Sequence, residues 1–275
     1  MSKDSANNSQ EKQAEQIIST WDSLALAYDR LLEKHSIFSV MASRLIELAN
    51  ATSCESVMDL AGGSGLLSKM LLSASAKTKI YFVEPAPQMM TLAKQQLDPA
   101  KTIFYQAKAT EIDKFDLKVD AILSNAAMHL VDLEKVFKSV STVLEAGGIF
   151  IFNLWWHAFE ETAQEGKSLD WRPVLEKVLK EYNEEIPKWS NSKSKKPYSR
   201  EMLRELATRS RLKLERVILD RDPIDRNFFI DFMSMYPDLP KAGLGDKRSQ
   251  IIQRAKEICT GKAIVTTVRF LFRKT

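Results

Sequence analysis

Glycine is scarce in this 275-residue chain, with 9 residues where average usage of roughly 7% would give about twice as many. Cysteine is nearly absent. Cys54 and Cys259 are too few for a disulfide framework or a cysteine-based zinc site, and they point to a reducing, cytoplasmic setting. Only three histidines occur, His35, His129 and His157, and no His/Asp/Glu cluster shows metal-ligand spacing. No long apolar run exists either. The longest stretch free of Asp, Glu, Lys and Arg is Ala146–Phe159, shorter than the roughly 20 residues of a spanning helix. The first residues, MSKDSANNSQEKQAEQ, lack the apolar core of a signal peptide and read as a disordered tail over 1–16. A net charge of +4 neither demands nor excludes a polyanionic partner.

With 44% apolar and 28% charged residues, the chain reads as an ordinary globular protein with ample core. Residues 17–50 carry helical apolar spacing. After them, strands alternate with helices. Strands are predicted at Ser56–Leu60, Lys79–Val83, Thr102–Gln106, Val119–Ser124 and Gly148–Leu154, and helices at Leu66–Ala74, Pro87–Leu97 and Leu133–Leu144. Such βα alternation with apolar strands predicts a parallel sheet covered by helices on both faces. The regularity breaks after Trp155. Residues 156–198 read as an inserted helical cap, and Ser199–Ser210 as a helix capped by Ser199. Leu212–Leu219 and Ala263–Phe272 read as sixth and seventh strands around a helical insert at 224–260. The domains expected are thus the tail, a core of N-terminal helices and ligand-binding sheet over 17–155, the cap, and a core completion over 199–275.

The rare glycines cluster. Gly62, Gly63 and Gly65 stand in VMDLAGGSGLL, a strand, a tight turn and a helix start, where backbone N–H groups can approach a ligand closely. The dinucleotide fingerprint fails, because Ser68 takes the third glycine position. Asp59 closes the strand before the loop. A carboxylate there repels a pyrophosphate and suits a ligand ammonium, or else caps the loop through its own amides. Glu84 ends the second strand about 20 residues further on, where an acid can accept both hydroxyls of a ribose. Met89 lies over an adenine face or belongs to the core.

DLAGGSG, Glu84, SNAAMH at 124–129 and LEAGGIFIF at 144–152 stand in the order and spacing of class I S-adenosylmethionine-dependent methyltransferases, and WDSLALAYDR at 21–30 resembles the N-terminal helix that covers their cofactor. The chain resembles the small-molecule type over 21–154 and, more loosely, over 199–219. The resemblance implies an α/β, Rossmann-like, seven-stranded methyltransferase sheet whose last strand is antiparallel and inserted between strands five and six. It implies S-adenosyl-L-methionine as cofactor. Asp59, Ala61 and Gly63 would line its methionine part, Glu84 its ribose and Ala109 its adenine edge. Asn125 would lie near the sulfonium and Tyr28 in the lid. Two residues depart from the family. Ala61 replaces a usual glycine and fits if its φ is negative. Lys108 replaces an acid that would accept from the adenine amino group, which a lysine ammonium cannot do. Thr110 or Glu111 would then take that role, or the pocket would bind differently.

Candidate catalytic side chains are His157, His129 and Tyr28. His129 follows the fourth strand at the end where open α/β sheets place their sites, as a base or as a pocket wall. His157, after strand five, is a base or a surface residue, and His35 is structural. Trp155, Trp156, Phe159, Trp171, Tyr182, Trp189, Phe228, Phe229, Phe232 and Tyr236 would roof an acceptor in part and form cap core for the rest. Lys188, Lys193, Lys195, Lys196 and Arg200 read as a solvated loop rather than an RNA contact. The Pro-Pro-aromatic motif of base-amino methyltransferases is absent after strand four. The expected partner is a small molecule, with no membrane and no nucleic acid, and the expected state a monomer or homodimer. Rival readings are a non-methylating enzyme on this fold, by hydrolysis or cyclisation, and a non-catalytic binding protein.

Overall fold

The computed structural model describes residues 3–165, 172–186, 196–235 and 247–275. Helices α1 (Lys3–Lys34) and α2 (Ile37–Leu48) lead into β1 (Ser56–Leu60), α3 (Leu66–Ala74), β2 (Lys79–Val83), α4 (Pro87–Gln96), β3 (Thr102–Tyr105) and β4 (Val119–Ser124). Next come α5 (Leu133–Val143), β5 (Leu144–Trp155), α6 (Arg172–Glu181), α7 (Arg200–Arg209), β6 (Leu212–Asp225), α8 (Asn227–Ser234), α9 (Lys247–Ile258) and β7 (Lys262–Lys274).

The seven strands form one sheet in the order β3-β2-β1-β4-β5-β7-β6. The first five are parallel, and β7 runs antiparallel to both β5 and β6. This is the expected arrangement, down to the position of β7. Strand periodicity sorts the core into two layers. Met58, Leu60, Ile122, Phe150 and Phe152 face α5 and α7, while Val57, Ile80, Phe82, Ala121 and Leu123 face α2, α3 and α4.

Several expectations change. The stretch read as a tail is helical from Lys3 on, because its Ala, Gln, Glu and Lys residues favour helix and Ala14, Ile17, Ile18 and Trp21 line a cavity. Strand β5 starts four residues earlier than predicted and β6 runs six residues longer, to Asp225, paired with β7 except at a register shift between Leu214 and Arg216. The insert folds as α8 and α9, with the turn-like 236–246 between them outside the described residues. Within 156–198, the described parts include a short turn at Trp156–Ala158 and α6, which packs on α9 through Leu175, Val178, Leu179, Ile251 and Ala255.

Candidate active site

The carboxyl ends of β1, β2, β3 and β4 open into a cavity of about 940 Å³, roofed by α1 and bounded by the start of α5 and one face of α7. Its floor is the turn after β1. Gly62 admits no side chain, since a Cβ there would stand 2.3 Å from the Phe82 ring. The Gly62 N–H donates to the Val83 carbonyl at 3.1 Å, tying the turn to β2. Ala61, in contrast to the expected negative φ, has φ +57°. A Cβ in the left-handed region costs about 1–2 kcal/mol, so the alanine is held there by the turn around it.

Asp59 is buried at the end of β1. Its Oδ2 accepts from Ser68 Oγ at 2.6 Å and Ser68 N at 3.2 Å, in the first turn of α3. Its Oδ1 is buried with no hydrogen-bond partner. Asp59 therefore caps α3 with one oxygen and leaves the other unpaired. Burial pushes its pKa from 3.8 up to about 6, against the lowering effect of the Ser68 bonds. Glu84 is also buried, its Oε2 accepting from Gly63 N and its Oε1 from Ala86 N, each at 2.9 Å. Burial outweighs those two bonds and raises its pKa from 4.5 to about 7. Glu84 thus also braces the glycine loop.

Of the remaining expected residues, Tyr28, Met89, Lys108, Ala109 and Asn125 line the same cavity, together with Asp59, Ala61, Gly63 and Glu84. Tyr28 packs edge-on against Trp21 and Phe38, at 5.2 and 5.5 Å between centroids. Met89 is 2% exposed within a small cluster with Ala25 and Ala86, so core packing is its main role. Ala109 opens a 3-10 turn (Ala109–Lys114), where its N–H has no intrahelical acceptor. Glu111 is unsuited to serve an adenine amino group, because its carboxylate accepts from Lys108 N and Lys114 Nζ, at 3.3 and 2.8 Å. Thr110 stays on the cavity wall. Asn125 is committed on both sides. Its Nδ2 donates to the Phe38 carbonyl at 3.1 Å, and its Oδ1 accepts from Asn153 Nδ2 at 2.8 Å.

The histidines fall elsewhere. Neither His129 nor His157 is among the cavity-lining residues. Their rings pack edge-on at 5.9 Å, with Trp156 against His157. His157 is exposed to solvent in part, and burial of the rest of the residue lowers its pKa. The aromatic roof also moves. Trp155, Trp156, Phe228, Phe229 and Phe232 gather around Phe38 and Val265 in a core beneath the α1–α2 elbow. Phe159 packs on Phe270, and Tyr182 joins the α6–α9 cluster. Trp171, Trp189 and Tyr236 lie outside the described residues, as do Lys188, Lys193 and Lys195, while Lys196 is exposed. Arg200 forms a bidentate pair with Glu161 at 2.8 Å, so it is no free phosphate contact.

Sequence reasoning misses Trp21, Ser68, Asn153, Tyr198 and Met202. Trp21 stands two helical turns before Tyr28 on the same face, a spacing visible in the sequence. Ser68 is visible only as the break in the glycine fingerprint. Asn153, Tyr198 and Met202 carry no local signal, because strand pairing and the docking of α7 bring them in.

Residues 58–152 match the family model described as a methyltransferase domain. Over 147 residues the chain is 27% identical to a malonyl-[acyl-carrier protein] O-methyltransferase of Bacillus cereus, a match spanning 51% of this chain and about half, 52%, of that relative. Among solved structures, it is similar to a putative sarcosine dimethylglycine methyltransferase from Galdieria sulphuraria, at TM-score 0.52, 16% identity and coverage of 85% and 84% of the two chains. It is also similar to geranyl diphosphate C-methyltransferase from Streptomyces coelicolor, at TM-score 0.51, 11% identity and coverage of 86% and 79%. At these identities the structures speak for the fold alone. Fold, glycine turn, acid pair and family match converge: residues 58–152 match a methyltransferase domain, set in a sheet with the fold of class I S-adenosylmethionine-dependent methyltransferases.

Proposed function

We propose that the protein transfers a methyl group from S-adenosyl-L-methionine to an O, N or C atom of a small molecule of secondary-metabolite size. The observation that carries the cofactor reading is the pair of buried acids on one cavity wall. Asp59 keeps an unpartnered oxygen there, suited to the ammonium of the methionine part. Glu84 retains lone pairs for ribose hydroxyls beside its two amide bonds. Gly63, where an added Cβ would meet only Tyr28 at 3.9 Å, allows close backbone approach. The cofactor supplies an electrophilic methyl on a sulfonium. The chain's own work is to hold the two ligands in line and keep water out, which suffices for an acceptor with a free lone pair. Tyr28 and Trp21 form the lid side, and Leu130, Val131, Tyr198 and Met202 add apolar lining for the acceptor among the charged Asp132, Glu134, Lys135, Glu205 and Arg209. Where the acceptor must lose a proton, His129 and His157 lie outside the cavity lining, and Tyr28 is the candidate that touches it.

The relatives differ in their acceptors, an acyl-carrier-protein malonyl group in one and geranyl diphosphate in another, so neither is assigned to this chain. Among the described residues no helix is long and apolar enough to cross a membrane. Both cysteines are free, which supports a reducing, cytoplasmic setting. Calorimetry with S-adenosylmethionine and its demethylated product tests the cofactor reading, and no affinity in the high-micromolar range overturns it. Labelled methyl donor with candidate acceptors tests transfer. Lys108 on the cavity wall favours a second reading, a non-methylating enzyme, identified by substrate turnover without label transfer.

A further inference from the structure

Helix α1 supplies the roof of the cavity through Ile17, Ile18, Trp21, Tyr28 and Leu32. Polar contacts pin its path. Asp22 Oδ1 accepts from Gln88 N at 2.6 Å, and Asp29 Oδ1 from Gln96 Nε2 at 3.2 Å, both on α4. At the far end, one carboxylate on α8 takes over. Asp231 is 8% exposed, and its Oδ2 accepts from Lys34 Nζ at 2.5 Å and from His35 Nε2 at 2.8 Å. Its Oδ1 meets Lys256 Nζ of α9 at 2.5 Å.

One buried acid thus joins the last residue of α1, the α1–α2 link and α9. Burial works to raise its pKa, and the bonds from Lys256, Lys34 and His35 outweigh that and hold it low. Phe228 on the same short helix packs on His35 and Phe38, at 5.2 and 5.9 Å, and Phe38 packs on Tyr28. The acid is buried while Lys34 is 54% exposed, so the cluster adds little net stability, and the better-attested use of such buried charge is to fix one arrangement. The arrangement fixed here is the elbow between α1 and α2. Lys34 lies six residues, about 9 Å of helix rise, beyond Tyr28.

We propose that Asp231 is a positioning residue for the cofactor cavity, setting the angle at which α1 lays Tyr28 and Trp21 over the β1–α3 loop. The insert formed by α8 and α9 is then a buttress for the roof helix rather than a wall of the acceptor site. The inference rests on the cofactor reading above.

The test is calorimetry with the demethylated cofactor, S-adenosylhomocysteine, on the full chain as wild type, Asp231→Asn and Asp231→Glu. Hydrogen exchange of residues 20–34 is read in the free proteins. Asp231→Asn is expected to weaken binding by about three- to thirty-fold and to speed exchange in α1. Asp231→Glu should recover part of both. Ile251→Val, in the α6–α9 core, should lower the melting temperature and leave affinity unchanged, separating position from stability. If Asp231→Asn does not fold, Lys34→Gln and Lys256→Gln each remove one arm and are read the same way. Affinity and exchange equal to wild type in the Asp231 or lysine variants overturn the proposal. A wild type that binds no cofactor overturns the cofactor reading instead, and exchange in α1 then still decides whether Asp231 positions the helix.

Discussion

Ser68 Oγ donates to Asp59 Oδ2 at 2.6 Å, so the residue that breaks the dinucleotide fingerprint is the one that orients the acid at the end of β1. Ser68→Ala removes that bond and leaves a buried carboxylate oxygen with only the 3.2 Å amide. A loss of about 1–3 kcal/mol in stability is expected, with weaker binding of S-adenosylhomocysteine. Thermal melts and calorimetry on the same variant check both, and unchanged affinity would show that Asp59 needs no such support.

The two acids give stability and binding opposite pH dependences. Both folded pKa values are raised, Asp59 to about 6 and Glu84 to about 7. Between about pH 4 and 7 the folded state therefore holds more protons than the unfolded state, and their contribution to stability falls as pH rises, by on the order of 3 kcal/mol apiece at the upper end. Cofactor donors favour the ionised acids, so affinity should rise over the same window, with proton release on binding. Melting curves and calorimetry in buffers of different ionisation heat, from about pH 5 to 8, read the two slopes. Affinity that is flat with pH would show that these acids do not meet the cofactor.

Neighbouring positions in the glycine turn should respond with opposite signs. Ala61→Gly relieves a φ of +57° and should stabilise by about 0.5–1 kcal/mol after the entropy cost of a glycine. Gly62→Ala drives a methyl to 2.3 Å from the Phe82 ring and should destabilise by about 1–3 kcal/mol. Thermal melts of the pair decide it, and a destabilised Ala61→Gly would contradict the strain reading.

Lys108→Asp restores an acceptor at the start of the Ala109–Lys114 turn. Cofactor binding should tighten about three- to tenfold if the adenine amino group lies there, because one hydrogen bond is worth about 0.5–1.5 kcal/mol. Unchanged affinity in calorimetry would leave that group to Thr110.

Much of the sheet is legible in the sequence because its strands are short apolar runs between turn residues, and Ser56–Leu60 and Val119–Ser124 fall where the pattern puts them. Asp59, Glu84 and Gly63 are legible because each sits at or just past a strand end whose position the topology fixes. The histidines are not. A residue a few positions past a strand end turns toward or away from the cavity according to packing, and His129 and His157 turn toward each other. The aromatic residues are core for the most part, as expected, and which of them would roof a ligand has no trace in the sequence, because apolar surface alone does not distinguish a ligand roof from a buried elbow. The sign of φ at Ala61 is set by the turn as a whole and has no trace in a single residue name.

The placement of β7 between β5 and β6 bears on how the chain is made. Strand β6 touches the sheet only through β7, so when residues 212–225 emerge during synthesis they have no neighbour to join. Strand β5 meanwhile keeps an open edge of backbone amides and carbonyls. A nascent chain would carry the open edge of β5 and an unpaired β6 until residues 262–274 arrive, and that interval is where self-association competes with folding.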